Sequence, residues 1–429
     1  MKIPSSPDKR YLGGADWCIA ALSEGTVETT GRRCIFLIAI FLEGVPDLDR
    51  LEGAFADYCA RFPVLGGRAG RCWCLAPYWR YEAGAAPAYR VGRHALPEGA
   101  SREDAVRQIE ALVNTRAAQG GWRVALDSVR FGGSASLLGF SFDHALFDAS
   151  GAETFISLFI RHAQGEAKPE EYPPARQAAP AQLDGWVDKF RSGRKVNRLM
   201  RRLASGGTSW LALPPDAERR PFRFRALALS AEEARRVQRR AFETAGYLMF
   251  TPYALATAAQ VFRPLFSRVS EPDATFVVSV STDKQRVGAR TPHFFFNDIS
   301  FLYFQFPVAR AADRDALSGE LRDQLVEQAR AGLPAAIEDA NLLLRILPAK
   351  VFWRFLMRFY RNRLASFGFT VLGEPVLREQ AVLGCRVTDH VHFPVIPTPP
   401  GIGLILSRSG GVTHAVLSYL EGVLGEREA

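Results

Sequence analysis

Residues 141–151, S-F-D-H-A-L-F-D-A-S-G, place a histidine and two aspartates inside an otherwise apolar and small-residue run. The segment before them, 135–142, is a short apolar run after the turn-like F-G-G-S, which predicts a buried strand. The segment after them, 151–165, repeats its large apolar residues at helical spacing. His144 therefore lies at a strand-to-helix connection, a place where functional side chains are often found.

The residues of this stretch fit two interpretations. A histidine at the end of a strand can act as a general base near neutral pH, because its ordinary pKa is about 6.5. Asp148, four residues on, could curl back through a tight turn and fix the loop by pairing with a cation from elsewhere. Gly151 beside two small residues allows close backbone approach. The same residues also fit a structural histidine next to a helix-capping aspartate.

Length and composition indicate a globular protein with two lobes. The chain has 429 residues, more than one hydrophobic core usually serves, and its apolar and charged fractions are ordinary. The first residues lack the apolar core of a signal peptide, and the apolar run 34–42 is too short to cross a bilayer as a helix. The sequence predicts a cytoplasmic protein, with peripheral contact to a membrane surface left open.

The net charge and the cysteines limit the possible classes of binding partner and the cellular compartment, but they do not identify one partner. The net charge of +9 fits partners that carry phosphate, an anionic membrane or an acidic carrier protein. The six cysteines form no C-x-x-C pair, which fits a reducing compartment. Basic and aromatic residues do not alternate as in a nucleic-acid-binding module, so no nucleic-acid partner is predicted, and we expect a monomer.

Two α/β halves and a connection emerge along the chain. Residues 1–165 alternate strand and helix patterns and contain the 141–151 stretch, and a similar alternation restarts at residue 221 and continues to 429. Between them, residues 166–220 begin with a Pro- and Ala-rich surface linker and continue with a basic helix. The predicted class is α/β, or α+β, with a mixed sheet flanked by helices in each lobe.

The basic helix at 186–203 combines two features. Seven cations fall within fourteen residues without an intervening acid. Trp186 precedes these cations, and Phe190 lies between the first two of them. Basic amphipathic helices favour anionic surfaces, so the segment is a candidate for docking on a membrane or on an acidic carrier protein. A solvated helix face is the alternative. A second basic stripe, 350–361, is also a candidate for docking, and its alternative is a core helix with a salt-bridged stripe.

The stretch D-H-V-H-F, residues 389–393, is the best metal candidate in the sequence. In a strand, His390 and His392 would share one face and Asp389 the other. A metal ion needs at least a third ligand, and the neighbouring sequence supplies none clearly. We therefore predict no metal site and interpret this stretch as a polar strand edge.

The order of several motifs resembles the HxxxD acyltransferase superfamily, whose donors are acyl-CoA or acyl-carrier thioesters. This superfamily includes condensation domains, BAHD acyltransferases, wax ester synthase/diacylglycerol acyltransferases, alcohol acetyltransferases and chloramphenicol acetyltransferase. The similarity extends over most of the chain, from about residue 10 to 425. The segments that carry it are D-H-A-L-F-D-A-S-G (143–151), the helix ending in R-F-P-V-L-G-G-R (48–68), V-S-V-S-T-D-K-Q-R (278–286), F-F-F-N-D-I-S-F-L-Y-F-Q-F-P (294–307), F-G-F-T-V-L-G-E-P (367–375) and 397–422.

The resemblance implies two chloramphenicol-acetyltransferase-like lobes with an active-site channel between them. It implies that His144 is the general base that deprotonates an alcohol or amine acceptor, which then attacks the thioester directly. Asp148 would be structural and paired with Arg286, with Gly151 supporting the loop. Asn297 would lie near the acyl group or shape the channel. No bound cofactor is implied, since acyl-CoA or a phosphopantetheinyl acyl carrier is a co-substrate.

The chain departs from the superfamily pattern at three positions. Asp143 stands where many members have a second histidine, so it could alter the channel and its substrate. Ala149 replaces the usual glycine after the aspartate, and Phe296 replaces the glycine before Asn297. A hydrophobic alcohol is the favoured acceptor. The alternatives are a non-catalytic relative that binds lipid or carrier protein, and a condensation or cyclisation enzyme of the same fold.

Overall fold

The fold was analysed on a computed structural model that describes residues 8–71, 76–82, 84–173, 185–269, 271, 273–283, 294–425 and 428. Within these residues the chain forms mixed sheets flanked by helices, which confirms the predicted α/β class. The strands are β1 (Asp8–Tyr11), β2 (Ile35–Glu43), β3 (Arg68–Arg71), β4 (Pro77–Tyr81), β5 (Tyr89–Ala95), β6 (Val124–Phe131), β7 (Ala135–Asp143), β8 (Phe222–Leu229), β9 (Thr275–Asp283), β10 (Ile299–Pro307), β11 (Phe367–Val371), β12 (Ala381–Val382), β13 (Cys385–Pro394), β14 (Ile402–Ser409) and β15 (Val412–Leu420). The helices are α1 (Gly14–Thr30), α2 (Leu48–Ala60), α3 (Arg102–Ala118), α4 (Ala149–Gln164), α5 (Trp186–Ser205), α6 (Ala231–Ala245), α7 (Phe250–Ser267), α8 (Arg314–Arg330), α9 (Leu333–Leu344) and α10 (Ala349–Phe359).

The first sheet has the strand order β12-β13-β2-β7-β6-β5. β2 is its centre and is almost entirely buried, which explains why its sequence is a continuous apolar run. β7 pairs antiparallel with β2 and ends at Asp143, so the 141–151 stretch leaves the middle of the sheet. Asp148 then begins α4, which confirms the predicted strand-to-helix connection.

The second sheet has the order β10-β9-β11-β14-β15-β8. β11 lies parallel to both β9 and β14, and the remaining pairs are antiparallel. The hairpin of β14 and β15 turns at Gly410 and Gly411, which both have positive φ, as predicted for a tight turn. A small sheet of β1, β4 and β3 lies outside the two large ones.

Helix starts follow the capping signals in the sequence. The side chains of Asp47, Ser101 and Ser230 accept hydrogen bonds from backbone N–H groups in the first turns of α2, α3 and α6. Ser101 and Ser230 complete capping boxes with Asp104 and Glu233. α1 begins after Gly13, which has no capping side chain, and the helix was not predicted, although it packs against α9 and α10.

The chain returns to the first lobe near its end. β12 and β13 fall in the segment 221–429 that we assigned to the C-terminal lobe, yet β13 pairs with β2 of the first sheet and β12 pairs with β13. The boundaries at 165 and 220 stay predictions. Part of the predicted linker, residues 174–184, lies outside the described residues.

None of the helices described by the structure combines the length and apolarity needed to cross a bilayer. The basic segment forms α5, which packs on α9 through buried Val196. The second basic stripe, 350–361, forms most of α10. Arg361 lies beyond the end of that helix and has a positive φ.

A glycine sets how closely α1 and α10 approach. A Cβ added to Gly25 in α1 would lie 2.1 Å from Cε2 of Trp353 in α10, far inside van der Waals contact. Gly25→Ala should lower the free energy of unfolding by about 1–3 kcal/mol, because the buried indole ring must move. The matched control is Gly53→Ala in α2, where a Cβ meets nothing within 4 Å.

The control should be neutral or stabilising by up to about 1 kcal/mol, since alanine favours a helix more than glycine does. Thermal melting followed by circular dichroism measures both variants. A Gly25→Ala variant that melts as high as Gly53→Ala would show that α1 and α10 do not pack as described.

Candidate active site

A cavity of about 750 Å³ lies between the two large sheets. The first sheet contributes Phe36 and the second contributes Ser279 and Phe369, while α1, α5, α9 and α10 close its sides. Most of the lining is aliphatic or aromatic, and His144 is one of the few titratable groups that reach it. Pockets of this size and character bind small organic molecules.

His144 is held at the turn between β7 and α4. Its backbone N–H donates to the carbonyl of Cys34 (3.4 Å), and its ring packs edge-on against Phe36, 5.2 Å between ring centroids. Burial lowers the pKa of His144, and the nearby charges of Asp148 and Asp143 offset that effect only in part. The ring is thus held neutral, the state in which an imidazole accepts a proton.

Asp148 ties the turn to the second half of the chain. Its Oδ1 accepts the backbone N–H of Gly151 (2.8 Å), which caps α4, and its Oδ2 accepts the N–H of Asp298 (2.9 Å). A Cβ on Gly151 would lie 2.7 Å from the carbonyl oxygen of Phe294, so a side chain there would push the two segments apart. Arg286, the predicted partner of Asp148, lies outside the described residues.

Asn297 braces the motif from the opposite side. Its side-chain amide donates to the carbonyl of His144 (3.0 Å), and its backbone N–H donates to the carboxylate of Asp16 (2.8 Å). Asp16 is itself buried at the start of α1 and also accepts the N–H of Gly13. The sequence analysis missed Asp16, and its place three residues after Gly13, as in a capping box, is the only signal that could have drawn attention to it.

Two residues predicted to shape the channel occupy other positions. Neither Asn297 nor Asp143 belongs to the described residues that line the cavity. Asp143 is buried, forms an ion pair with Arg123 (2.5 Å) and accepts the N–H of Ala145 (3.0 Å). Its carboxylate is thus engaged in holding the turn. This partner explains how the chain accommodates an acid where many members have a histidine.

Phe296 stands where the superfamily that the sequence resembles has a glycine, and its surroundings explain how the chain accommodates it. Its φ is +74°, in the left-handed region that glycine adopts without strain. A non-glycine residue there costs about 1–3 kcal/mol. The ring is fully buried, with the Arg10 guanidinium 3.5 Å from its centroid and Trp79 edge-on against it. Burial of a large aromatic ring offsets a cost of that size.

At residues 389–393 β13 pairs with β2 on one side, while on the other side β12 reaches only Cys385 and Arg386 among the described residues. The predicted strand edge is therefore present, but His390 and His392 are both buried on it. His392 Nε2 lies 3.0 Å from Oε1 of Glu153 in α4, a contact between residues 239 positions apart that local patterns do not reveal. Burial lowers the pKa of His390 to about 4. His392 also lines the cavity.

Comparison with known proteins finds similarity in structure but not in sequence. No family model matches the chain, and no curated protein matches it significantly. The TRI3 trichothecene 15-O-acetyltransferase of Fusarium sporotrichioides superposes with a TM-score of 0.71 at 12% identity, over 98% of this chain and 92% of that one.

Two further solved structures are similar over nearly the whole chain. The first condensation domain of the calcium-dependent antibiotic synthetase gives a TM-score of 0.62 at 16% identity, over 99% of this chain and 93% of that one. TRI101 of F. graminearum, complexed with coenzyme A and T-2 mycotoxin, gives 0.62 at 11% identity, over 97% and 96%.

At such low identity the similarity establishes the fold and leaves the reaction open. These neighbours include an O-acetyltransferase and a condensation domain, which are among the classes that the order of motifs resembled. The predicted two-lobed, chloramphenicol-acetyltransferase-like fold is confirmed.

Proposed function

We propose that the protein transfers an acyl group from a coenzyme A or acyl-carrier thioester to an alcohol, with His144 as the general base. The observation that carries this proposal is a neutral histidine lining a large apolar cavity between the two sheets. A buried imidazole of lowered pKa suits proton abstraction near neutral pH. The cavity supplies room for a hydrophobic acceptor and an acyl chain.

The proposed reaction needs no covalent intermediate on the protein. The acceptor hydroxyl gives its proton to His144 as its oxygen forms a bond to the thioester carbonyl carbon. The tetrahedral intermediate then collapses, the carbon–sulfur bond breaks, and the thiolate takes a proton to leave as the free thiol. The imidazolium of His144 is the proton source within reach of the cavity.

The comparisons support the substrate class in outline. One structural neighbour is named as a trichothecene 15-O-acetyltransferase, and another was solved in complex with coenzyme A and T-2 mycotoxin. We extend an alcohol acceptor and a coenzyme A donor to this chain on that ground. An amine acceptor and a carrier-bound donor are the second choices.

Asp148, Gly151, Arg286 and Asn297 are proposed as positioning residues. Asp148 and Asn297 hydrogen-bond to backbone groups at each end of the turn that carries His144. Their removal should misplace the base and leave its chemistry unchanged. We also propose the ion pair between Asp148 and Arg286, which would complete the tie between the lobes.

His144→Ala should lower kcat by a factor of about 100 or more, as loss of a positioned base usually does. Its Nδ1 is buried without a hydrogen-bond partner among the described residues, so removal of the ring leaves no side-chain donor or acceptor unpaired. The variant should therefore stay folded. Free-thiol release from a panel of acyl-CoAs, with and without alcohol acceptors, measures the rate.

The matched control is His162→Ala in α4, whose ring bonds to Tyr172 (2.7 Å) and does not line the cavity. The control should keep its activity. Transfer by His144→Ala at the wild-type rate would refute the role of the base. A folded wild type that binds acyl-CoA and releases no thiol with any acceptor would instead favour a non-catalytic binding protein.

We further propose that α5 docks the protein on an anionic membrane. Lys189 is buried and Arg191 pairs with Asp188, so these two do not take part. Four arginines of α5 are exposed, and no carboxylate of the described residues lies within 4.0 Å of them. They are Arg194, Arg198, Arg201 and Arg202.

The exposed apolar residues support a lipid surface over a soluble acidic partner. Trp186 and Phe190 at the start of α5 are 49% and 57% exposed, and Phe355 of α10 is 48% exposed while also lining the cavity. Arg201 is exposed and lines the cavity as well. Among the residues that line the cavity, an exposed cation, Arg201, thus accompanies an exposed aromatic side chain, Phe355, and membrane-surface helices combine these residue types.

Charge reversal tests the docking. Wild-type protein should co-sediment with vesicles of mixed anionic and neutral phospholipid in low salt. Arg198→Glu, Arg201→Glu and Arg202→Glu combined should weaken that binding at least 100-fold, since each cation near an anionic surface contributes about 1 kcal/mol. The matched control reverses Arg235, Arg236 and Arg239, which are exposed on α6.

Equal losses in both triple variants would show that net charge, and not α5, determines vesicle binding. Failure of the wild type to sediment at low salt would refute the membrane proposal. Salt-sensitive binding to an acyl carrier protein under the same conditions would identify that protein as the partner of α5.

A further inference from the structure

Three side chains from distant parts of the sequence converge beside the cavity. Glu153 lies in the second turn of α4, and His390 and His392 lie two residues apart on β13. All three are buried, with 6%, 4% and 3% of their surface exposed. One ligand atom of each lies within 4.8 Å of the others.

One ring nitrogen of His390 has no hydrogen-bond partner among the described residues. Its Nδ1 lies 2.9 Å from Oγ of Ser409, which also accepts the backbone N–H of His390. Its Nε2 is buried and has no hydrogen-bond partner among the residues that the structure describes. A buried polar atom left unsatisfied costs about 1–3 kcal/mol, so such an atom calls for an explanation.

Hydrogen-bond partners outside the cluster fix the orientation of Glu153 and His390. Oε2 of Glu153 accepts backbone N–H groups from Val376 (2.6 Å) and Leu377 (3.4 Å), which leaves Oε1 for His392. Ser409 plays the corresponding part for His390. In metal sites a bound imidazole typically donates its outer N–H to an acceptor such as the Ser409 hydroxyl oxygen, and a bound carboxylate is itself hydrogen-bonded.

We propose that Glu153, His390 and His392 form a site for a divalent transition-metal ion, with Zn²⁺ preferred over Mg²⁺ and Ca²⁺. Two imidazoles and one carboxylate are a common zinc ligand set, whereas Mg²⁺ and Ca²⁺ favour oxygen ligands alone. Ligands about 2.0–2.1 Å from a tetrahedral ion lie roughly 3.3 Å apart. The separation of 3.0 Å between His392 and Glu153 is close to that value.

Binding would require a proton to move. The hydrogen bond between Nε2 of His392 and Oε1 of Glu153 holds one proton, which passes to Nδ1 of a neutral ring, or to solvent from a doubly protonated ring, before both atoms can bind the ion. The unshared pair of His390 Nε2 then completes three protein ligands. Because His392 also lines the cavity, the fourth position is open to water or a ligand from that side.

The site would join α4 to β13, the strand that the C-terminal part of the chain adds to the first sheet. Its first effect is therefore on stability. The proposal does not depend on acyl transfer, because it rests on residues that the proposed reaction does not use. Loss of activity in His144→Ala would leave it untouched.

The test uses the full chain with any affinity tag removed and with bound metal stripped by EDTA and dialysis. ZnCl2 or MgCl2 is then added, and bound metal and Tm are measured by elemental analysis and calorimetry. We expect about one tightly bound zinc ion per chain. We also expect a rise in Tm of at least about 3 °C with zinc and none with magnesium.

Variants separate this site from adventitious binding. Glu153→Gln and His390→Gln should each abolish tight zinc uptake and the shift in Tm. The His390 variant loses the contact of Nδ1 with Ser409 and the ring contact with His392 but keeps its backbone N–H bond to Ser409, so it keeps the test valid if Glu153→Gln fails to fold. The matched control is His414→Gln, a buried histidine bonded to Asp389 (2.8 Å) outside the cluster.

His414→Gln should lose stability and keep its zinc. Zinc uptake and a Tm shift in Glu153→Gln and His390→Gln equal to those of the wild type would overturn the proposal. So would a folded wild type that takes up no zinc, which would leave the three residues as a buried hydrogen-bonded network.

Discussion

The buried carboxylate of Asp16 fixes the position of His144. It accepts the N–H of Gly13 at the start of α1 and the N–H of Asn297 from the segment that precedes β10. Asn297 in turn donates to the carbonyl of His144. Burying a carboxylate costs free energy unless hydrogen bonds replace its contacts with water. Separating these segments would remove such hydrogen bonds from Asp16 while it stays buried, so the carboxylate holds the segments together.

Asp148 adds a second connection from the other end of the same turn. Its two oxygens accept N–H groups from α4 and from Asp298, the residue after Asn297. His144 is therefore fixed from both sides by the segment 294–298, through the side-chain amide of Asn297 and the backbone N–H of Asp298. The two large sheets meet at this point, and the cavity opens beside it. A base so placed would need little reorganisation to meet a substrate.

The sequence predicted those features that depend on local patterns. The buried strand β7, predicted from the apolar run 135–142, is confirmed. The buried run of β2, the caps of α3 and α6 and the hairpin at Gly410 likewise depend on a few neighbouring residues. The placement of His144 at the end of β7 follows from the same patterns.

Contacts between distant residues were not accessible in this way. Asp16 and Asn297 are 281 positions apart, and Glu153 and His392 are 239 apart. α1 carries few periodic apolar residues, so nothing marked it as a wall of the cavity. Asn297 was assigned to the channel from the resemblance alone, whereas its amide is engaged by the backbone of the motif. The contact between Glu153 and His392 requires the pairing of β13 with β2, which the order of elements does not reveal.

The dependence of kcat/KM on pH tests whether a neutral, buried His144 is the base. Burial lowers the pKa of His144, so the ring is protonated, and the base lost, only when the pH falls below the ordinary histidine value of about 6.5. Free-thiol release should give a profile that is flat at neutral pH and declines below that value. An acid limb centred above neutral pH, or the same limb in His144→Ala, would contradict this assignment.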